Sequence, residues 1–255
     1  MKKILVALLA LMLMLALVAC GTGDAKDTDT VADTAADTVA DTAGDTASDV
    51  MSYADFVAAA IDDAVVVETY VQAKQSWWEK DGVGVATVYT QNAEGAYFLY
   101  EMPVSAEDYE LLVPGTKIKV SGFKAEWAGE VEIIDATYEI IEGDTFVAEP
   151  ADLTDKLGTE ELVTYQNQLA AFKGLSVVSL SYKDSEWDPD IYLTVSYNGE
   201  SYDFCVENYL CGPDTEVYQA VAALEAGDMI DVEGFVYWYE GVNTHITGVS
   251  VVENN

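Results

Sequence analysis

Apolar and polar residues alternate with a period of two in two stretches of this chain. Ile118 and Val120 alternate with Lys117 and Lys119, and Ile230 and Val232 alternate with Asp231 and Glu233. Such alternation marks antiparallel strands buried on one face. The two stretches are copies of one unit. Placing Leu112–Glu142 over Leu224–Asn254 aligns Leu112/Leu224, Gly115/Gly227, Ile118/Ile230, Val120/Val232, Gly122/Gly234, Phe123/Phe235, Gly129/Gly241 and Ile134/Ile246 without a gap. Each copy reads as a helix end, a glycine stop, a strand, a turn and a strand.

Upstream, both copies continue alike. Ala86–Thr90 and Ala96–Met102 flank a turn over 91–95, and Ile191–Tyr197 and Glu200–Glu207 flank Asn198-Gly199, a strong two-residue hairpin signal. A helix follows each hairpin. Ser105 to Asp108 resembles a capping box running to Leu112, and Pro213-Asp214-Thr215 opens a helix that Gly227 ends. Strands over Val65–Gln75 and Leu169–Ser181 precede the hairpins. Strand, hairpin, helix, hairpin is the order of an OB-fold. The fold class predicted is mainly β with short helices: two tandem OB-fold-like five-stranded barrels, over residues 53–149 and 150–255.

Three segments carry a resemblance. Tyr70 to Trp78, Gly95 to Tyr100 and Val113 to Gly122 resemble the OB-fold modules of surface lipoproteins from clostridial gut bacteria. The likeness covers 53–142 well and 162–254 more loosely. It implies fold and location, with no site carried over.

The N-terminal part agrees with that location. Lys2 and Lys3 precede an uncharged apolar run from Ile4 to Ala19, and Leu17-Val18-Ala19-Cys20 reads as a lipobox. The run is short for a membrane-spanning helix and normal for a signal peptide. Residues 1–19 are therefore expected to be a lipoprotein signal peptide, with Cys20 the acylated (palmitate-bearing) first residue. The product would be lipid-anchored at the outer face of the bacterial cytoplasmic membrane, on the cell surface. From Asp29 a four-residue Asp-Thr repeat follows. Its like charges and poor helix formers predict a disordered acidic linker over 20–52.

Charge narrows the partners. The chain has 46 acidic residues against 11 lysines and no arginine, a net charge of −35. Phosphate backbones are repelled unless cations intervene. Nucleic acid is accordingly disfavoured as a partner, and an extracellular glycan, peptide or protein is expected.

Catalytic patterns are missing. His245 is the sole histidine and reads as a core or strand-face residue. Not an enzyme is the expectation, with a carboxylate-dependent hydrolase as an alternative that no particular pair supports. No cofactor is expected. Asp184, Glu186, Asp188 and Asp190 place carboxylates at alternate positions, as calcium loops do, but Pro189 and Val195 break the EF-hand pattern. A solvated acidic loop is the plainer reading and a weak Ca2+ site the alternative. Cys205 and Cys211 are either a small-loop disulfide or two separate thiols.

Aromatic residues give the most usable hint. OB barrels bind ligands over strands 2 and 3, between the loops joining strands 1–2 and 4–5. Those places hold Trp77, Trp78 and Trp127 in the first copy, and Trp187 and Tyr237-Trp238-Tyr239 in the second. Aligning Phe98 with Phe204 turns Tyr97 outward. The candidate ligand contacts are Trp77, Trp78, Tyr97, Trp127, Trp187 and Tyr239. The rings would either stack on a ligand or close the barrel ends and the interface between copies. A lipid-anchored, non-catalytic binding protein is the function expected, with single-stranded nucleic-acid binding as an alternative by fold analogy alone.

Overall fold

The computed structural model describes residues 50–183 and 189–252. The expected signal peptide, Cys20 and nearly all of the expected linker lie outside them, as do Asp184, Glu186, Trp187 and Asp188.

Barrel 1 comprises α1 (Tyr53–Ala58), β1 (Ala64–Lys74), β2 (Trp78–Lys80), β3 (Val83–Gln91), β4 (Ala96–Pro103), α2 (Ala106–Leu111), β5 (Lys117–Trp127) and β6 (Glu130–Ile141). Barrel 2 comprises β7 (Ala151–Asp152), β8 (Leu169–Tyr182), β9 (Ile191–Tyr197), β10 (Glu200–Val206), α3 (Glu216–Ala222), β11 (Met229–Phe235) and β12 (His245–Val251), with two short 3-10 turns between β7 and β8. In barrel 1, β1 pairs antiparallel with both β3 and β5, β3 with β4 and β5 with β6. A parallel contact of β4 with β6 closes the sheet. Barrel 2 repeats this with β8, β9, β10, β11 and β12, its parallel closure joining Cys205 to His245. Both are OB-folds by strand order and direction.

The duplicated residues do the same work twice. Gly115 and Gly227 follow the helices at φ +92 and +97, a conformation glycine adopts without a steric penalty. Their backbone N–H groups donate to Val71 O and Val177 O, at 2.8 and 2.9 Å. Gly122 and Gly234 lie at bulges between strands 4 and 5. A Cβ at either would strike the facing strand: Ile134 O at 2.8 Å in the first copy and the His245 carbonyl in the second. Ile118, Val120, Ile230 and Val232 are fully buried at the two barrel centres.

Residues 50–52, ahead of the expected domain start, pack on barrel 1. Ser52 caps α1 by accepting from Asp55 N at 3.1 Å, and Met51 N donates to Val66 O at 2.8 Å. Helix α1 plugs one end of barrel 1 with Phe56, which meets Tyr97 edge-on at 4.9 Å. Lys124 ends the helix by donating to the carbonyls of Phe56, Val57 and Ala59 at 2.9, 3.0 and 2.8 Å.

Tyr97 is 1% exposed, inside barrel 1 with Leu99, whereas Phe98 points out. The alignment of Phe98 with Phe204 is therefore wrong by one residue, because Phe204 lies in the core of barrel 2. A one-residue slip exchanges the two faces of a strand. Tyr97 is a core residue and no ligand contact.

The outward residues of β3 and β4 meet barrel 2. Tyr89 stacks on Phe235 at 4.5 Å and Phe98 meets Tyr237 at 5.4 Å. The Tyr89 hydroxyl lies 2.6 Å from His245 Nδ1. Around these rings, Ser76 N donates to Tyr209 O, Leu169 N to Gln91 Oε1, Gln166 Nε2 to Gly129 O and Glu240 N to Ala128 O, at 2.6 to 2.9 Å. Buried apolar rings inside a hydrogen-bonded rim describe a fixed interface.

Candidate ligand-binding groove

Interface packing covers much of the strand 2–3 surface of barrel 1. The same surface of barrel 2 is open and forms a groove of about 1080 Å3. Its floor is the outer face of β9 and β10, carrying Tyr192, Thr194, Ser201 and Asp203. These positions face out because Ile191, Leu193, Val195, Phe204 and Val206, interleaved with them, fill the barrel core. One wall is the 238–243 loop between strands 4 and 5. The other is the 158–163 segment, which follows the first 3-10 turn and runs into the second.

Polar groups in the floor are held in place. Thr194 Oγ1 donates to Asp203 Oδ1 at 2.7 Å, and Asn243 Nδ2 donates to Asp203 O at 3.1 Å, tying loop to floor. Gly158, at φ +81, lies against the Tyr202 hydroxyl, where a side chain would collide. The lining combines aromatic rings, hydroxyls and the carboxylates of Glu160, Asp203 and Glu240. Rings stack on flat or CH-rich faces, and carboxylates accept hydrogen bonds from hydroxyl groups.

The residues singled out from sequence divide sharply. Trp127 and Tyr239, from the strand 4–5 connections of different barrels, come together at 5.2 Å, 55% and 49% exposed, at the edge of the groove. Trp77 is half-buried and covers Gly84, its Nε1–H donating to Val104 O at 2.9 Å. Trp78 lies in a separate cleft of barrel 1. Asp190 accepts from Asn208 N at 2.8 Å and pairs with Lys183 at 3.5 Å, so its carboxylate braces the base of its loop. Among the described residues no group of three or more His, Cys, Asp or Glu side chains is placed to hold a metal. Cys205 and Cys211 are separate, buried thiols, not a disulfide. Burial, then the charge of Glu207, pushes the Cys211 thiol up to about 11.

Beside the groove, the interface holds buried ionisable groups. Glu130 is fully buried, its Oε2 accepting from Trp238 N at 2.8 Å. Burial is the main cause that raises it to about 8, and its Oε1 and Asn167 Oδ1 have no hydrogen-bond partner. A proton on the carboxyl turns it into a donor that such an acceptor can use. Glu132 is raised to about 7 by burial and then by Glu101. His245 is pushed down to about 3 by burial, so it is neutral beside Tyr89 and Tyr237. Gln75 Nε2 donates to the Tyr89 oxygen at 3.3 Å, which directs the hydroxyl proton to His245 Nδ1. This histidine is an interface residue with no part in the groove.

Thr194, Ser201 and Asp203 were not singled out from sequence. Their signal was available: polar outward positions on β9 and β10, where β3 and β4 carry Tyr89 and Phe98.

No protein-family model matches the chain, and no curated protein matches it. Solved structures do. A murine DNA-binding protein bound with double-stranded DNA is 13% identical over 74% of this chain and 96% of that one, with a TM-score of 0.36. The Ifi202 HINa domain in complex with double-stranded DNA is 12% identical over 74% and 98%, with a TM-score of 0.35. A replication protein A heterotrimer bound to single-stranded DNA is 15% identical over 76% of this chain and 50% of that one, with a TM-score of 0.32. Strand order and register, described above, carry the fold assignment independently of these scores. The neighbours nevertheless correct one expectation, that nucleic acid is a disfavoured partner. Those structures hold double- and single-stranded DNA.

Proposed function

We propose that this chain is a non-catalytic OB-fold binding protein that holds a sugar-containing polymer in the groove of barrel 2. The observation that carries the reading is the open strand 2–3 face of that barrel, walled by its strand 4–5 loop. OB-folds bind oligosaccharides and oligonucleotides on this face. Barrel 1 acts as a rigid support, and its Trp127 extends the aromatic rim.

Tyr202, Trp238 and Tyr239 supply rings, while Thr194, Ser201 and Asp203 supply donors and acceptors. Sugars offer hydroxyls and CH faces, and nucleotides offer both hydroxyls and bases. A glycan would be held by stacking and hydrogen bonds alone. A single nucleic-acid strand would be held by base stacking, with cations bridging its phosphates to the groove carboxylates.

Titration with an oligosaccharide panel and with oligodeoxythymidine and oligouridine strands, with and without Mg2+, tests this. One class is expected to quench tryptophan fluorescence saturably, and Tyr239→Ala and Asp203→Asn each weaken it about 5- to 100-fold. Binding that neither substitution touches, or none to any probe, overturns the reading. A strand needing Mg2+ and losing affinity with added salt identifies the nucleic-acid case.

The same proposal places the protein on a membrane through acylated Cys20, supported by the lipobox Leu17–Cys20. Palmitate labelling of the full chain is expected to disappear in Cys20→Ser. Persistent labelling removes the anchor.

A further inference from the structure

Barrel 1 has a second cleft, sharing no lining residue with the groove of barrel 2. It encloses about 410 Å3 between the edge strand β2, the outer side of β3 and β4, and the turn after β10. Trp78, Tyr100 and Tyr209 line it, from elements far apart in sequence, and are 44%, 43% and 43% exposed. Interface packing buries Tyr89 and Phe98 on the same face and stops short of these three rings.

The polar part of the lining is acidic. Glu101 lies in β4 at φ +45, beside the register shift of the β3–β4 ladder, and its N–H donates to Thr87 Oγ1 at 3.2 Å. Its carboxylate pairs with Lys80, whose side chain is half exposed. Glu132, nearly buried on β6, is raised first by burial and then by the charge of Glu101. The lining thus carries one carboxylate, with a single half-exposed ammonium beside it, in a chain of net charge −35. Neither Trp78 nor Tyr100 carries an ammonium over its ring among the described residues, where such contacts involve Tyr109, Tyr70 and Phe56.

The chemistry selects the occupant. An anion would meet Glu101, and a wholly apolar group would cover that carboxylate without satisfying it. A cation clothed in methyl groups suits both aspects: aromatic faces attract it, its methyl groups fill apolar space, and the carboxylate balances its charge. We propose that the cleft formed by Trp78, Tyr100 and Tyr209 over Glu101 is a binding site for a quaternary or methylated ammonium group. Lys80 is its internal competitor for Glu101.

Full-length protein titrated with tetramethylammonium chloride, against sodium chloride at equal ionic strength, tests this. The expected result is saturable broadening of the tetramethylammonium proton signal, lost in Trp78→Leu and weakened about tenfold in Glu101→Gln. Lys80→Met is expected to tighten binding several-fold. Asp203→Asn, in the groove of barrel 2, is expected to leave it unchanged, so this site and the polymer groove stand or fall separately. Should Trp78→Leu misfold, Lys80→Met and Glu101→Gln decide the matter by their opposite directions. Equal broadening in every variant, or none beyond that seen with an unrelated acidic protein, overturns the proposal.

Discussion

The two barrels share a fold and use its ligand-binding face in opposite ways. In barrel 1 the outward side of strands 2 and 3 carries Tyr89 and Phe98, which pack on Phe235 and Tyr237 of barrel 2. In barrel 2 the corresponding side carries Thr194, Ser201 and Asp203 and stays open. Two aromatic residues on one hairpin, against hydroxyls and a carboxylate on the other, make the first a fixed joint and the second a candidate receptor. The joint is head-to-tail: the hairpin face of barrel 1 meets the strand 4–5 end of barrel 2, leaving barrel 2's own hairpin face unoccupied.

The largest test of this contrast removes an aromatic from the joint. Tyr89 is fully buried, stacked on Phe235, and bonded to His245. Tyr89→Ala is expected to cost about 3–5 kcal/mol and to split one urea transition into two, as the barrels uncouple. Thr194→Ala, on the open face, is expected to stay within about 0.5 kcal/mol. Comparable losses in the two variants, followed by circular dichroism, would abolish the distinction.

Titration sharpens it next. Glu130 and Glu132 sit at the joint with folded values of about 8 and about 7, above the 4.5 of an ordinary glutamate. Folded chains therefore retain protons that unfolded chains release, and stability falls as pH rises from about 4.5 to 8. His245 acts the other way. Its folded value of about 3 lies below 6.5, so the unfolded chain takes up the proton first and stability falls on acidification below pH 6.5. Between pH 4.5 and 6.5 the two carboxyls outweigh the one imidazole. The melting temperature is expected to peak near pH 4.5 and to decline toward pH 8. Since a pKa unit is worth about 1.4 kcal/mol, Glu130 alone contributes a loss of a few kcal/mol across that range. Glu130→Gln should remove most of the decline, because the losses from Glu132 and the gain from His245 then nearly cancel. An unchanged slope in that variant would mean that the whole-chain charge, not the joint, sets the pH dependence.

Local signals made the fold legible. Asn198-Gly199 turns a hairpin, Ser105 and Thr215 cap helices by accepting from Asp108 and Tyr218 N–H groups, and Gly115 and Gly227 end them. Each of these depends only on residues close in sequence. The candidate site depends on which face of a strand points out, and a single residue of register reverses that. Tyr97 and Phe98 exchanged places for this reason. Which hairpin face is covered depends on the contact between barrels, residues 156 positions apart in the case of Tyr89 and His245. Nothing local announces that contact. Likewise Trp127 and Tyr239 could be placed at loop tips, but not against each other. Helix α1 was missed because six residues carry too little periodicity to stand out.

The smallest expected effect isolates position from chemistry. Phe123 and Phe235 are aligned copies, each following the bulge glycine of strand 4. Yet Phe235 is 2% exposed under Tyr89, and Phe123 is 46% exposed. The same residue at the same place in the same fold differs only in whether another barrel lies over it. Phe123→Ser is expected to change stability by no more than about 0.5 kcal/mol, because little apolar surface leaves a buried site. Phe235→Ser should resemble Tyr89→Ala, since it empties the same stack and sets a hydroxyl among rings. Urea titration of the pair measures what the joint adds to one phenylalanine. A loss of 2 kcal/mol or more for Phe123→Ser would show that barrel 1 draws on this ring even without a neighbour, and the asymmetry between the barrels would then owe less to their contact than to their own cores.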